Sequence, residues 1–312
     1  MTRKNGRGKT HSVSVKGHRD TVLAIVLLIL CSIAVGLMPV FARYGFADGM
    51  NTTTFIVIRA IASLVVLAVC VPLAGKSYRV PREFLGVSAL AGVSAALMNV
   101  AHLEAIRHID IGLAVLILFI HPFIIAAYYH ALGSSRLTIA RVFWSIAAFA
   151  GLGLALAVNV GDLDRYGLAM AFASAILATV LVISMVKVSE SVGGYTTNLH
   201  LAIWTIAIFV ATLAVTGDIR LPLSMTGWIS AFGNGTAHVV AFVAFLVACR
   251  LIGASRASMF SFGEPIAAIL FAAWLFDERM SLIQWGGVAI VAAGLFFMEA
   301  KFSPRRRRAE TP

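Results

Sequence analysis

Ten long apolar runs, separated by short polar segments, organise this chain of 312 residues. Most runs are close to the roughly 20 residues that an α-helix needs to cross the hydrocarbon core of a bilayer. The intervening segments contain turn-forming pairs such as Asp48-Gly49 and Gly193-Gly194. The pattern predicts an all-α polytopic membrane protein whose ten transmembrane helices lie at about 21–42, 53–73, 84–104, 111–132, 138–160, 166–187, 195–215, 226–248, 256–276 and 281–299.

Composition supports a chain that is mostly solvated by lipid. Apolar residues make up 60% of the chain and charged residues 12%, whereas a soluble domain is nearer to roughly one half and one quarter. The three cysteines fall within or beside apolar runs and lack the spacing of disulfide or metal sites. The first run is too long for a cleaved signal peptide, so we expect a retained signal anchor.

Positive charges predict the orientation of the chain. Basic tails occupy residues 1–20 and 301–312, and 19 of the 25 lysines and arginines fall on the side of the membrane that holds these tails. Five fall on the opposite side, and Arg59 lies inside a span. Both termini are therefore expected to be cytoplasmic. We expect residues 1–20 to be disordered, and Arg305 to Arg308 either touch anionic headgroups or act only as an orientation signal.

An offset of 143 residues relates the two halves of the chain. It aligns Thr53-Thr54 with Thr196-Thr197, Gly92 with Gly235, Arg107 with Arg250, Ala114 with Ala257, Phe119 with Phe262, Pro122 with Pro265, Leu132 with Leu275, Arg136 with Arg279 and Gly151 with Gly294. Each half has five spans, and because five is odd the second half enters the membrane in the opposite sense. The prediction is two inverted repeats, at residues 21–160 and 161–300, with the substrate site near the membrane midplane between them.

A family pattern occurs in the stretch from Ala248 to Met298. Its elements are Arg250, Gly253-Ala254, Arg256-Ala257, the mid-helix Pro265, Asp277-Glu278-Arg279, and Gly286-Gly287 with Gly294. This stretch resembles the end of an EamA domain of the drug/metabolite transporter superfamily. The first half is a weaker copy, in which Ser134-Ser135-Arg136 replaces Gly-Glu-Arg and Cys31-Ser32 replaces a frequent Trp-Gly. The resemblance covers residues 22–301 and implies ten helices in two EamA repeats that transport small metabolites.

Two ionisable residues occupy matching positions in the repeats, each directly before a proline: Glu264 before Pro265, and His121 before Pro122. A charged group in hydrocarbon costs roughly 2.5–3.5 kcal/mol on insertion scales unless it is protonated, paired or hydrated. Each proline lacks a backbone donor and predicts a helix break. In one interpretation Glu264 and His121 bind protons or substrate and share a proton across the repeat axis. In the other interpretation, each side chain only forms hydrogen bonds with nearby backbone groups that lack a helical partner because of the proline.

Further candidates for substrate contacts are polar residues within the spans. Arg59 either holds a substrate carboxylate or phosphate by two hydrogen bonds, or extends to the outer interface or pairs with Glu104. Asn99 and His102 share a face of the third span and are candidates for a polar lining. His238 shares a face of the eighth span with Asn234, where the pair either lines a cavity or forms interhelical hydrogen bonds. Small residues at intervals of four, including Gly151, Ala155, Ala289 and Ala293, predict that spans five and ten pack closely.

Together these features predict a secondary-active transporter of the cytoplasmic (inner) membrane that exports a small metabolite by alternating access, with proton coupling through Glu264 and His121. The alternative is uptake or exchange of an anionic metabolite held by Arg59. An intramembrane lipid-modifying enzyme is the remote alternative, because the sequence lacks His-x-x-x-His and paired carboxylates. We therefore expect no enzyme activity, cofactor, metal or nucleic-acid partner. The expected partners are a small-molecule substrate and the lipid bilayer, and both a monomer and a homodimer remain open.

Overall fold

The protein is all-helical throughout the residues that the computed structural model describes, which are 8–135, 137–159, 163–277 and 279–300. The helices in chain order are α1 (Gly8–Ala47), α2 (Thr52–Leu73), α3 (Arg82–His108), α4 (Ile111–Leu118), α5 (His121–Ala131), α6 (Ile139–Ala155), α7 (Arg165–Val192), α8 (Gly194–Thr216), α9 (Met225–Ile252), α10 (Ala254–Met259), α11 (Gly263–Leu275) and α12 (Leu282–Ala300). A 3-10 turn at Phe260–Phe262 links α10 to α11.

Eight segments of the described chain are long and apolar enough to cross a membrane, with α4–α5 and α10–α11 each forming one segment. The helices at Ile139–Ala155 and Leu282–Met298 are apolar but shorter. The prediction of an all-α, multi-pass membrane protein is confirmed. Large apolar side chains such as Val65, Ile176 and Ile229 are more than half exposed on the bundle, which is the expected condition of surface that faces lipid.

The first helix is longer than the first apolar run. It begins at Gly8, inside the segment that the sequence predicts to be a disordered tail, and the helical backbone runs without interruption into the apolar span. Residues 1–7, Arg136, residues 160–162, Glu278 and the tail at 301–312 lie outside the described residues. We call the side of the bundle on which α1 enters the membrane the tail side, and the side on which α1 ends the opposite side.

Helix breaks occur at both prolines of the repeat-related pair. Helix α4 ends at Leu118, and α5 begins at His121 with Pro122 in its first turn. The 3-10 turn precedes α11, which has Pro265 in its first turn. A first-turn proline costs no helical hydrogen bond, because the amide N–H at that position has no partner within the helix.

Close helix approaches build the bundle. The most extensive packing is of α1 on α9 and of α3 on α7, followed by α6 on α12 and α2 on α8. At the α6–α12 contact, Gly151 and Gly287 leave no room for a side chain, since a Cβ on Gly287 would lie 2.4 Å from the backbone nitrogen of Ala155. On α12 the contact face carries Gly287 and Gly294, whereas Ala289 is exposed. Spans five and ten do pack together, but the alanine stripe predicted on span ten does not form the contact face.

Candidate functional site

A cavity of about 200 Å³ lies among six helices. Helices α2, α3, α8 and α9 contribute most of its wall, and Met38 of α1 and Leu181 of α7 complete it. Its polar and charged lining residues are Arg59, Ser63, Asn99, Thr205 and His238. Three residues that the sequence analysis selected on separate spans, Arg59, Asn99 and His238, therefore meet at one cavity.

Arg59 is the sole charged residue of this lining. It lies about 10 Å along α2 from the first residue of that helix. No side chain among the described residues forms a hydrogen bond or ion pair with its guanidinium. The alternative of pairing with Glu104 does not occur, because Arg107 Nη1 donates to Glu104 Oε1 at 2.7 Å. The cavity thus presents one unpaired positive charge.

Neutral groups around Arg59 keep hydrogen-bond acceptors available. Asn99 Nδ2 donates to the Ala95 carbonyl at 2.7 Å, so the amide oxygen remains to accept. The Thr205 hydroxyl donates to the Leu201 carbonyl at 2.8 Å and keeps its lone pairs. The His238 ring packs against Phe242 with centroids 4.4 Å apart, and its Nδ1 is buried without a hydrogen-bond partner.

The Ser63 hydroxyl connects two helices of the cavity wall, α2 and α9. It lies 3.0 Å from the Arg59 carbonyl and 2.9 Å from the Gly235 carbonyl, and it therefore bridges α2 and α9. The helices meet closely here, because a Cβ on Gly235 would lie 2.4 Å from the Arg59 carbonyl oxygen. Asn234 ties the other flank by donating from Nδ2 to the Met38 carbonyl at 2.7 Å. The backbone that carries Arg59 is thus fixed from α9.

Glu264 and His121 lie outside this lining. The Glu264 carboxylate accepts from the Ser261 hydroxyl and lies 3.9 Å from the Cys31 thiol of α1. His121 Nδ1 lies 2.9 Å from the Leu118 carbonyl, and its ring packs against Phe119. No hydrogen bond or ion pair joins the two residues, and the sharing of a proton between them stays a prediction.

His102, the remaining candidate, is mostly buried near the opposite-side end of α3 but is not among the residues that line the cavity. Its Nδ1 is buried and has no hydrogen-bond partner. Sequence reasoning missed Ser63 and Thr205, which do line the cavity. A hydroxyl within an apolar run carries little positional signal, because Ser and Thr commonly bond to their own helix backbone, as Thr205 does.

A second cavity of about 410 Å³ lies nearer the tail side. Its lining includes Arg141, Glu190 and Arg256, so charges of both signs are present, and both arginines have interaction partners. It therefore lacks the isolated cation of the central cavity. Among the described residues, no group of three or more His, Cys, Asp or Glu side chains is arranged to hold a metal ion.

Comparison with known proteins relates this chain to transporters. Residues 165–299 match the EamA-like transporter family. A segment of 83 residues is 37% identical to the uncharacterized transporter YcbK of Bacillus subtilis (strain 168), and it spans only 26% of the length of each protein. A solved crystal structure covers 90% of this chain and 98% of its own, with a TM-score of 0.76. At 15% sequence identity that likeness shows the fold alone.

The EamA resemblance predicted from the Arg, Gly and Pro pattern of the second half is confirmed by the family match. The described helices make the chain a multi-pass membrane protein, and its residues 165–299 are similar to the EamA-like transporter family.

Proposed function

We propose that the protein is a secondary-active transporter that carries a small solute through the central cavity, with an anionic group of the solute bound to Arg59. The unpaired guanidinium of Arg59 carries this proposal. An arginine at membrane depth costs roughly 2.5–3.5 kcal/mol on insertion scales, and pairing with another ionisable group is one way in which proteins offset the cost. No described side chain supplies that partner. A carboxylate or phosphate on the solute would supply it, and the planar guanidinium can bind either with two hydrogen bonds.

Alternating access through two inverted repeats is the second part of the proposal. Close contacts that obey the 143-residue offset support it. A Cβ on Gly92 of α3 would collide with Trp204 of α8, and one on Gly235 of α9 would collide with Ala62 of α2. The offset relates Gly92 to Gly235 and Trp204 to Ile61. The contact of Gly235 is with Ala62, the residue next to Ile61, so the two contacts correspond to within one residue. The halves therefore pack against each other in equivalent ways.

The contact of α6 with α12 is reciprocal under the same offset. A Cβ on Gly151 would meet Gly287 and Ile290, and one on its counterpart Gly294 would meet Trp144 and Ala148. Such symmetry is expected when one repeat is inverted relative to the other about an axis in the membrane plane. Rocking of α2 and α3 against α8 and α9 would then expose Arg59 to one side of the membrane at a time.

Orientation, direction and coupling complete the proposal. The charge distribution supports a protein of the inner membrane with both termini in the cytoplasm. Export is the proposed direction of transport. Glu264 is the candidate proton carrier, because it lies within a span on α11 and its described partners are the neutral groups of Ser261 and Cys31. His121 remains a candidate only for an independent role on its own helix.

Purified protein in liposomes tests the proposal. A panel of radiolabelled small carboxylates and phosphates is offered on either side of the membrane at pH 7.5, and empty liposomes give the background. We expect saturable flux of at least one anion, reduced at least 10-fold in Arg59→Gln. Arg107→Gln is the matched control, since Arg107 is exposed and already paired with Glu104. Flux of every anion at the background rate, or full flux in Arg59→Gln, contradicts the proposal.

A further inference from the structure

We infer that the solute bound by Arg59 is a small hydroxylated monoanion with an otherwise uncharged carbon chain, and not a zwitterion or a dianion. This inference rests on the proposed function and names the substrate class of the same cavity. The charge balance comes first. Arg59 is the only charged residue of the lining. A monoanion makes the loaded cavity neutral, whereas a zwitterion leaves one uncompensated positive charge and a dianion leaves one negative charge in a low-dielectric site.

The other titratable residue of the lining does not alter this balance. An imidazolium has two N–H donors, and both need acceptors when the ring is buried. The Nδ1 of His238 is buried with no hydrogen-bond partner, and the ring packs on Phe242. This arrangement suits the neutral imidazole. Arg59 therefore remains the single positive charge that the solute has to match.

Hydrogen bonding and size define the remainder of the solute. The lining offers two hydrogen-bond acceptors, namely the amide oxygen of Asn99 and the hydroxyl oxygen of Thr205. A hydroxyl on the solute can donate to such an acceptor without adding charge. The rest of the wall is apolar, with Phe209 and Phe242 as its largest members. Since the cavity of about 200 Å³ is smaller than the roughly 300–1,000 Å³ of sites for drug-sized ligands, we expect a chain of only a few carbons.

Four compounds with one carbon skeleton separate these alternatives. They are 2-hydroxybutyrate, the zwitterion 2-aminobutyrate, the neutral 2-hydroxybutyramide and the dianion malate. Binding to the purified full chain is measured by titration calorimetry at pH 7.5. We expect 2-hydroxybutyrate to bind at least 10-fold more tightly than each of the others. Arg59→Gln should weaken its binding at least 10-fold, and the matched Arg107→Gln variant should leave it unchanged.

The outcomes distinguish the substrate class from the transport proposal. If 2-aminobutyrate or malate binds as tightly as 2-hydroxybutyrate and Arg59→Gln still abolishes binding, the monoanion class is wrong while the anion site stands. If none of the four binds, the class is also wrong. Binding that is equal in wild type and Arg59→Gln contradicts both the class and the site.

A different observation, in the loops on the two sides of the bundle, supports a second inference. On the opposite side, the loop before α9 is tied to the start of α2. Thr54 Oγ1 accepts from the Arg220 backbone N–H at 3.1 Å, and Asn51 Nδ2 donates to the Asp218 carbonyl at 2.7 Å. On the tail side, the loop before α3 is tied to the start of α8. Thr196 Oγ1 donates to the Ser77 carbonyl at 2.7 Å.

The offset of 143 residues relates these contacts. Ser77 is the counterpart of Arg220, and Thr196 is the counterpart of Thr53, next to Thr54. His200 strengthens the tail-side contact, with its Nε2 2.9 Å from the Tyr78 carbonyl. We propose that the two contacts are reciprocal latches, the opposite-side latch and the tail-side latch, which each hold one end of the cavity shut. Both latches are closed in this structure, and each must open when its side admits solute.

Isosteric removal of one hydroxyl at a time tests the latches. Thr54→Val and Thr196→Val keep the side-chain shape and delete the hydrogen-bonding oxygen of each latch. The reporter is Ala202→Cys, which lines the cavity. Its reaction with a membrane-impermeant thiol reagent is measured from each side in oriented vesicles. From the strength of one hydrogen bond, we expect Thr54→Val to speed labelling from the opposite side about 2- to 10-fold, and Thr196→Val to do so from the tail side.

The control is Thr212→Val, since Thr212 bonds only to its own helix and is exposed. Absence of any rate change, or an equal change from both sides in either latch variant, overturns the latch proposal. Circular dichroism and size-exclusion elution matching wild type exclude misfolding as a cause. Faster labelling of Thr54→Val from the tail side, or of Thr196→Val from the opposite side, also overturns the latch proposal.

Discussion

The α6–α12 contact makes a prediction that two adjacent glycines test against each other. A Cβ added to Gly287 would lie 2.4 Å from the Ala155 nitrogen and 2.5 Å from the Gly151 oxygen, whereas one added to Gly286 meets nothing within 4 Å. Ordinary contacts of a Cβ begin near 3.4 Å, so Gly287→Ala requires the helices to separate by about 1 Å. Overpacking of this kind costs about 1–3 kcal/mol.

The neighbouring variant removes the main complication. Replacing glycine by alanine within a helix stabilises the helix by roughly 0.5–1 kcal/mol, and both variants gain this amount because both lie within α12. The difference between Gly286→Ala and Gly287→Ala therefore isolates the packing cost. We expect Gly287→Ala to be about 1–3 kcal/mol less stable than Gly286→Ala.

Unfolding in mixed micelles gives the measurement. The free energy of unfolding is obtained by titrating each variant with sodium dodecyl sulfate and following tryptophan fluorescence, with circular dichroism as a second probe. Equal stability of the two variants, or a more stable Gly287→Ala, would refute the packing geometry inferred for α6 and α12. A loss of stability in Gly286→Ala alone would mean that the face of α12 with Gly286, and not the face with Gly287, contacts α6.

Three further predictions follow from particular contacts. The Asp48 carboxylate accepts from the backbone N–H of Ser224 at 2.9 Å and from its hydroxyl at 2.6 Å, and these bonds hold the pKa of Asp48 below its usual 3.8. Because the folded-state pKa is lowered, wild type should be more stable than Asp48→Asn above about pH 4. The difference in stability should vanish as the pH falls through the lowered pKa. Thermal melting of both proteins at a series of pH values measures it. Asn234→Ala deletes the hydrogen bond to the Met38 carbonyl and should cost about 1 kcal/mol in the same micelle titration, and unchanged stability would contradict a tie between α9 and α1. Glu264→Gln should abolish flux driven by a proton gradient while leaving exchange of solute intact, and undiminished gradient-driven flux in liposomes would exclude Glu264 as the proton carrier.

The amino-acid sequence by itself predicted the apolar helices, the EamA resemblance and the candidate residues. Crossing a bilayer is a property of each segment, so length and apolarity were enough to locate the helices. The breaks before Pro122 and Pro265 are also local, because proline removes a donor wherever it stands. The motif from Arg250 to Gly294 identified the EamA domain without any knowledge of packing.

Only the tertiary structure decided which faces of these helices meet. In a soluble protein the apolar face marks the core, but lipid is as apolar as the interior of the bundle, so the pattern along a span does not distinguish the two. Arg59 and His238 therefore could be recognised as candidates, yet their meeting at one cavity with Asn99 depends on how three helices are rotated. The same physics explains why Gly287, and not Ala289, forms the contact of α12 with α6. It also explains why the repeat positions of Glu264 and His121 did not predict their partners, which are Ser261 and Cys31 for Glu264 and the Leu118 carbonyl for His121.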